Sequence, residues 1–288
     1  NGNQRLGLPS LRKSCKGDSY GNMGKRSMTA RMKTAVLILK RHGFKGLILE
    51  VKKANFVKPL PGFREMEQFF LDKTGLEIGG PSWFFKGRLP VYDKIKTLDG
   101  VNFSTSTIWT GAIDADRGFV VDGRRVGRQY ILDAVDLSPI GKDAYDFVLS
   151  CNNIEHIANP MKAMEQWLSV LKKGGVLVVV APRKEANFDH NRETVAFGHL
   201  LADYENNTAE DDLTHLEEIL ALHDLGRDLH AGTMAQFRER SLRNFENRCL
   251  HQHVFDMNVL KELFGYFELT VIESMQLDGD YVVIGRKR

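Results

Sequence analysis

The 288-residue sequence has little cysteine, no long hydrophobic run and little net charge. Its three cysteines, Cys15, Cys151 and Cys249, are an odd number and lie far apart without CxxC spacing. Such sparse use argues against a disulfide framework and favours a reducing compartment, so we expect a cytoplasmic protein. No run of about 18 apolar residues occurs, and a membrane-spanning segment is therefore not expected. The formal net charge of +3 does not by itself indicate a nucleic-acid partner.

An apolar fraction of 42%, with 9% aromatic residues, is enough for a sizeable core and argues against disorder. The charge is unevenly distributed. Residues 1–48 contain eleven Lys or Arg and one acid, Asp18, whereas residues 185–230 contain twelve acids and only two arginines, Arg192 and Arg227. The basic start is typical of a solvated leader. The alternatives are a transit-peptide remnant, which leaves organellar targeting open, and a basic docking arm.

Apolar patterning predicts strands alternating with helices from residue 74 onward. This alternation predicts an α/β fold: a doubly wound, mostly parallel seven-stranded sheet with helices on both faces and an antiparallel edge strand from a closing hairpin. We expect a flexible leader at 1–28, a helical extension at 29–73 and one domain at 74–288, which carries a helical lid insertion at 183–255. The predicted strands cover 75–78, 101–103, 129–132, 145–150, 176–180, 268–274 and 281–286, and the predicted helices 29–51, 63–72, 160–171 and 258–267.

Polar and glycine residues follow four of the predicted strands. Open α/β sheets bind ligands beyond the carboxyl ends of their strands, so these residues are candidate ligand contacts. Glycines after the first strand let a ligand approach the backbone, but the third glycine of a G-x-G-x-x-G dinucleotide motif is missing, which argues against a nicotinamide-dependent enzyme. The four segments are Glu77-Ile-Gly79-Gly80-Pro81-Ser82, Asp99-Gly-Val-Asn102, Asp133-Ala134 and Asn152-Asn153.

In order and spacing these segments resemble the core of the class I S-adenosylmethionine-dependent methyltransferases, of the methyltransferase-11 type. The resemblance covers residues 75–182, and the last helix and hairpin extend it to the C-terminus. It includes E-x-G at 77–79, D-A-x-D-L at 133–137, I-E-H-I at 154–157 and L-K-K-G-G at 171–175. It implies a Rossmann-like fold and S-adenosylmethionine as cofactor.

The resemblance also implies residue roles. Asn102, with Asp99, would hold the ribose; Asp133 and Ala134 would frame the adenine; Asn152 and Asn153 would lie near the methyl group. Two departures from the family pattern are the shortened glycine loop and an amide, Asn102, where an acid is usual. The implied cofactor-binding set is Glu77, Gly79, Gly80, Pro81, Ser82, Asp99, Asn102, Asp133, Ala134, Asn152 and Asn153.

Methyl transfer from an activated sulfonium requires alignment of the acceptor and exclusion of water, and a base only where the acceptor must lose a proton. His156 and His190 are the candidate catalytic residues. A histidine at a helix start that bonds a carbonyl is the structural alternative for His156. No HExxH or CxxC spacing is present, so no metal ligands are assigned.

The insertion at 183–255 is far longer than an ordinary connection and is rich in acids and histidines. A solvated helical lid, a lid that recognises a cationic or polyhydroxyl acceptor, and a divalent-metal site are the competing interpretations. We expect a small polar acceptor, an amine or a hydroxyl compound. An RNA methyltransferase and an inactive cofactor-binding module are the alternative functions, and homo-oligomer formation is left open. The candidate substrate-binding residues are Asp189, His215, Arg248, His251 and His253.

Overall fold

The computed structural model describes residues 58–228 and 230–288. The basic leader and residues 29–57 of the predicted helical extension lie outside the described residues, as does Cys15. Within this part of the chain, no helix is long and apolar enough to cross a bilayer. Cys151 and Cys249 are both free thiols.

A seven-stranded sheet forms the centre of the fold, and its strands alternate with helices on both faces, which confirms the predicted fold class. In spatial order the strands are β10, β11, β9, β8, β1, β2 and β7. The bounds are β1 Thr74–Ile78, β2 Thr97–Asn102, β7 Gln129–Ile131, β8 Tyr145–Cys151, β9 Leu171–Pro182, β10 Thr270–Gln276 and β11 Asp280–Arg286.

The antiparallel strand differs from the prediction. Strand β11 pairs antiparallel with both β9 and β10, so it lies inside the sheet, and β10 is the edge strand. The burial pattern explains this position. Tyr281 to Gly285 are all buried, as a strand covered on both faces requires, whereas β10 has no buried residue.

Apolar side chains alternate between the two faces of the sheet. One face packs on helices α3 (Pro160–Val170) and α8 (Met257–Tyr266), and Trp167 and Phe264 are fully buried there. The other face packs on the short helices α1 (Phe63–Met66) and α2 (Trp83–Gly87), with Phe70 and Phe85 fully buried. The predicted helix at 63–72 is shorter than expected, since a 3-10 turn replaces it at Glu67–Phe69.

Two small hairpins occupy the connection between β2 and β7, where no strand was predicted. Strands β3 (Ser106–Thr107) and β4 (Gly111–Ala112) form the first, and β5 (Phe119–Val121) and β6 (Arg124–Gly127) form the second. The first hairpin places Trp109, whose side chain is half exposed, next to the ring of His156.

The insertion after β9 is helical, as predicted. It has a small apolar core of its own that includes Leu216, Ile219, Phe237 and Leu250. Its final segment, residues 249–255, runs beside the end of β8, where His253 N donates to Glu155 O. The helices are α4 Phe197–Glu205, α5 Leu216–Leu222, α6 Met234–Leu242 and α7 Asn244–Asn247.

Candidate functional site

The carboxyl ends of β7, β2, β1 and β8 are joined by hydrogen bonds into one edge. Gly79 N donates to Val101 O over 2.7 Å, and Leu132 N donates to Asn102 O over 3.0 Å. Asn153 Nδ2 donates to Ile78 O over 2.5 Å. The fold therefore brings together the glycine turn, Asn102, the start of the Asp133 loop and Asn153, although 75 residues separate Asn153 from Ile78.

The glycine turn after β1 is packed so tightly that no side chain fits at either glycine. Gly79 has a φ of 76°, in the left-handed region, and a Cβ there would lie 2.0 Å from Asn153 Nδ2. A Cβ on Gly80 would lie 2.1 Å from the Glu77 carboxyl carbon. The positions of Asn153 and Glu77 therefore require glycine at both positions. Pro81 and Ser82 continue the turn into α2, where Ser82 is the residue that precedes the helix.

Glu77 lies beneath the turn. Its side chain is fully buried, and its carboxylate accepts from Ser82 N over 2.9 Å and from the Tyr92 hydroxyl over 2.9 Å. Burial raises the pKa of Glu77 to about 8, although these two hydrogen bonds lower it in part. Glu77 therefore supports the shape of the glycine turn from below.

Asn102 ends β2 and is buried, and its Nδ2 has no hydrogen-bond partner. A buried amide donor without a partner is costly, so this group is suited to a ligand oxygen such as a ribose hydroxyl. Asp99, the other residue assigned to the ribose, does not join it. Asp99 pairs with Leu76 in mid-sheet, and its carboxylate accepts from Arg128 N over 2.7 Å and from the Tyr145 hydroxyl over 2.7 Å.

Asp133 is paired with a residue of the insertion. Arg248 donates to Asp133 Oδ2 over 3.0 Å and also forms an ion pair with the buried Glu210. Its guanidinium lies 5.4 Å from the ring centre of Phe103, which directly follows β2. The structure therefore joins a predicted cofactor residue to a predicted substrate residue. Trp167 Nε1 donates to Ala134 O over 3.1 Å and holds the loop on α3.

His156 lies at the end of β8, in a 3-10 turn from Ile154 to His156. Its Nδ1 is 3.0 Å from Leu250 O. Since a carbonyl only accepts, Nδ1 carries the proton and Nε2 keeps a free lone pair. Burial, reinforced by the charge of His251, lowers the pKa of His156 to about 3. The imidazole is therefore neutral at pH 7.

The His156 tautomer can be tested without any substrate. We expect long-range ¹H–¹⁵N spectra to show a protonated Nδ1 and an unprotonated Nε2, with no titration between pH 5 and 8, because the pKa of His156 lies near 3. A His156→Gln sample assigns the resonance. A protonation step near pH 6.5 would contradict this geometry.

Asp189, His251 and Arg192 form a buried network behind His156. The ring centres of His156 and His251 are 4.6 Å apart, and His251 Nδ1 bonds to Asp189 Oδ2. Arg192 is 2% exposed and donates to Asp189 Oδ1 over 3.2 Å and to His251 O over 2.7 Å. His190 does not join this network, since its Nε2 lies 3.0 Å from Asp224 Oδ2 on a partly exposed surface.

The other two predicted substrate residues, His215 and His253, meet His199 in a separate cluster. Each of these three histidines offers a ring nitrogen within 4.8 Å of the others. A second group within the same distance is Glu155, His156 and His251. In that second group Nδ1 of each histidine is engaged, by Leu250 O and by Asp189 respectively.

Sequence reasoning missed Tyr92 and Arg192. Tyr92 lies 15 residues beyond Glu77 in an irregular loop, and no local pattern indicates that its hydroxyl meets a buried acid. Arg192 had a signal: it is one of two arginines among twelve acids in residues 185–230. An arginine among so many acids is a candidate for a buried ion pair, and Arg192 contacts both Asp189 and Glu218.

Comparison with known proteins gives one family match. Residues 107–179 match the model of a methyltransferase domain family. No curated protein matches the chain.

Solved structures with a similar fold include three methyltransferases. A SAM-dependent methyltransferase from Thermotoga maritima is 19% identical, with 78% of this chain and 87% of that chain covered and a TM-score of 0.39. One from Methanosarcina mazei is 16% identical, with 77% and 96% covered and a TM-score of 0.44. An N-methyltransferase from Bradyrhizobium japonicum is 13% identical, with 78% and 95% covered and a TM-score of 0.41.

Proposed function

We propose that this chain is a class I S-adenosylmethionine-dependent methyltransferase that transfers a methyl group to a small polar acceptor. The methyltransferase-domain match at 107–179 and the mostly parallel seven-stranded sheet support this proposal. The observation that carries the proposed activity is the joined edge at the ends of β7, β2, β1 and β8, where the glycine turn and a partnerless buried amide lie side by side.

The residues at this edge fit the adenosyl cofactor. The partnerless Asn102 Nδ2 can donate to a ribose oxygen, and it lies next to the glycine turn, where Gly79 N donates to Val101 O. Asp133 is oriented by Arg248 and can accept from the adenine amino group. Asn153 adjoins the glycine turn through Ile78 O, whereas Asn152 is exposed and its N donates to Val180 O of β9. When bound, S-adenosylmethionine supplies an activated methyl group for in-line attack by an acceptor lone pair.

His156 is the proposed general base. With Nδ1–H fixed on Leu250 O, its Nε2 lone pair can accept the proton of an acceptor hydroxyl once methyl transfer makes that proton strongly acidic, whereas a pKa near 3 is too low to deprotonate an ammonium beforehand. Trp109 borders the ring, at 5.1 Å between ring centres, and contributes to excluding water. His190 is bound to Asp224 in this structure, so its assignment as a second base depends on movement of the insertion.

The acidic lid is proposed to select a cationic or polyhydroxyl acceptor, by way of its exposed and partly exposed acids. Asp189 and Glu210 are buried in ion pairs of the insertion itself, so they position Arg192 and Arg248. Asp211 is exposed, and Asp212 accepts from the Thr214 hydroxyl over 2.6 Å. If an Asp211→Asn, Asp212→Asn variant kept the wild-type KM for an amine acceptor, this part of the proposal would be wrong.

Calorimetry separates the candidate functions. We expect the full chain to bind S-adenosylmethionine and S-adenosylhomocysteine and not to bind NADH. A methyl-transfer screen over amines, phenols, sugars and a transfer RNA then distinguishes a small-molecule enzyme from an RNA enzyme. Binding of both adenosyl compounds without turnover of any acceptor would favour an inactive binding module. No binding of either compound would end the proposal.

Asp133→Ala is expected to weaken S-adenosylhomocysteine binding by about 1–3 kcal/mol, because it removes a partly buried acceptor from the adenine contact. The matched control is Asp136→Ala in the same loop, whose carboxylate accepts from the Ser138 hydroxyl over 2.7 Å and is exposed. We expect Asp136→Ala to change the dissociation constant little. Equal losses in both variants would indicate a general loop effect and contradict the assigned role of Asp133.

A further inference from the structure

The insertion contains a cluster of three histidines and one aspartate that the proposed methyl transfer does not use. His199 and Asp203 lie one turn apart on α4, His215 directly precedes α5, and His253 lies in the extended segment before α8. These elements meet only through the fold of the insertion, since 54 residues of chain separate His199 from His253. We propose that this cluster is a structural zinc site.

Ring nitrogens of the three histidines lie within 4.8 Å of one another, and Asp203 Oδ2 is close to two of them. Nε2 of His199 lies 3.0 Å from Nε2 of His215 and 3.3 Å from Asp203 Oδ2. His253 Nε2 lies 3.6 Å from the same carboxylate oxygen. For a tetrahedral ion with bonds of about 2.0–2.1 Å, neighbouring ligand atoms are separated by about 3.3 Å. The measured distances bracket this value.

Two buried polar atoms of the cluster have no hydrogen-bond partner. They are Asp203 Oδ2, the oxygen that faces both histidines, and Nδ1 of His253, whose side chain is 1% exposed. Leaving such atoms unpaired is costly, and an ion at the centre of the cluster relieves that cost for the carboxylate. His253 Nε2 is also 3.2 Å from Ala158 O, and zinc would take the place of the proton on the ring nitrogen that binds it.

Groups around the cluster hold the ligands in place. The Thr208 hydroxyl donates to Asp203 Oδ1 over 3.0 Å, so the second carboxylate oxygen is fixed. Glu218 Oε2 lies 3.7 Å from His215 Nδ1, so a small shift would let this carboxylate accept from the ring nitrogen and orient a metal-bound imidazole. Glu218 is in turn held by Arg192 over 3.1 Å.

The chemical type of the four ligand atoms indicates which metal this site would bind. Three imidazoles and one carboxylate suit Zn²⁺, whereas Mg²⁺ and Ca²⁺ require mostly oxygen ligands. Four protein ligands close the coordination sphere, which is typical of structural sites. His199 is 41% exposed and gives the ion a path from solvent.

The site would join α4 and α5 to the segment that contacts the end of β8. His253 N donates to Glu155 O, next to the proposed base His156, so the ion would fix the insertion against the active site. This role is separate from cofactor binding, because neither Asn102 nor Asp133 belongs to the cluster.

The test uses the full chain, stripped with a chelator and then titrated with Zn²⁺. We expect about one tightly bound zinc per chain by elemental analysis, and a zinc-dependent rise in Tm of roughly 5 °C or more. Co²⁺ in place of Zn²⁺ should give the intense visible absorption of a tetrahedral site. His199→Ala and His215→Ala should lose the metal, the Tm rise and the cobalt band, while His230→Ala, an exposed histidine of the same insertion, should keep all three.

Circular dichroism of each variant shows whether it is folded and keeps this test independent of the proposed activity. His199 is the more exposed ligand, so its replacement leaves the core of the insertion intact. The proposal is overturned if the folded, stripped wild type binds no zinc. It is equally overturned if His199→Ala and His215→Ala retain wild-type zinc content, which would place the metal at Glu155, His156 and His251 or elsewhere.

Discussion

Replacing Gly79 by alanine is expected to weaken S-adenosylhomocysteine binding by about tenfold or more, since losing a hydrogen bond that shapes the turn costs about 1.4 kcal/mol. The added methyl group would lie 2.0 Å from Asn153 Nδ2, so Asn153 must move and lose its hydrogen bond to Ile78 O. The φ of 76° adds backbone strain of about 1–2 kcal/mol for any residue with a Cβ. Calorimetry and denaturant unfolding measure the two effects separately.

Gly123→Ala is the matched control for this experiment. Gly123 has a φ of 80°, close to that of Gly79, but a Cβ there has nothing within 4 Å. Gly123→Ala should therefore lower the free energy of unfolding by the backbone strain alone, and it should keep the wild-type affinity for S-adenosylhomocysteine. Asn153→Ala in the Gly79→Ala background removes the clashing amide and should recover part of the affinity. If both alanine variants bound the cofactor as tightly as wild type, the glycine turn would not be part of the cofactor site.

Replacing Glu77 by glutamine is expected to remove a pH dependence of stability. The pKa of Glu77 is about 8 in the folded chain and 4.5 in its ordinary state. Between these values the folded protein holds a proton that the unfolded chain has released. Stability from this group is thus complete below pH 4.5 and falls by up to about 1.4 kcal/mol per pH unit as the pH rises to 8.

Glutamine resembles the protonated acid, with one acceptor for Ser82 N and the Tyr92 hydroxyl, and it has no charge to desolvate. Urea unfolding at several values between pH 5.5 and 8.5 should show a gap in unfolding free energy between Glu77→Gln and wild type that widens with pH. Glu262→Gln, at an exposed position of α8, is the control and should follow wild type throughout. A constant gap between Glu77→Gln and wild type would mean that Glu77 stays ionised in the folded protein.

Different parts of the insertion serve the proposed zinc binding and the proposed methyl transfer. With zinc bound, the histidine cluster would hold the helices of the insertion together, whereas Arg248 and the segment at 249–255 reach the proposed cofactor and base sites. Arg248 itself has a φ of 53°, at the end of α7, which turns the chain toward the sheet. Metal loss should therefore change the acceptor side of the site first, while Asn102 and the glycine turn belong to the sheet.

Much of the fold was predictable because it depends on local pattern. The run of five apolar residues at 176–180 lies within β9, and the helical spacing of Met161, Met164 and Trp167 matches α3. The side of the sheet on which ligands are expected to bind follows from strand direction alone. The position of β11 inside the sheet was not predictable, because a hairpin sequence does not encode which of its strands pairs with a strand about 100 residues earlier.

The sequence by itself determined the order of strands and helices and the residues at the strand ends, because periodicity, glycine turns and polar strand termini are properties of neighbouring residues. Only the tertiary structure decided which of those residues meet. The pairs Asp133–Arg248 and His156–Leu250 span 115 and 94 residues, and Asp99, four residues before Phe103, turned out to bond Tyr145 in mid-sheet. The first two pairings arise from the packing of the insertion on the sheet and the third from contacts within the sheet, and no local pattern records any of them.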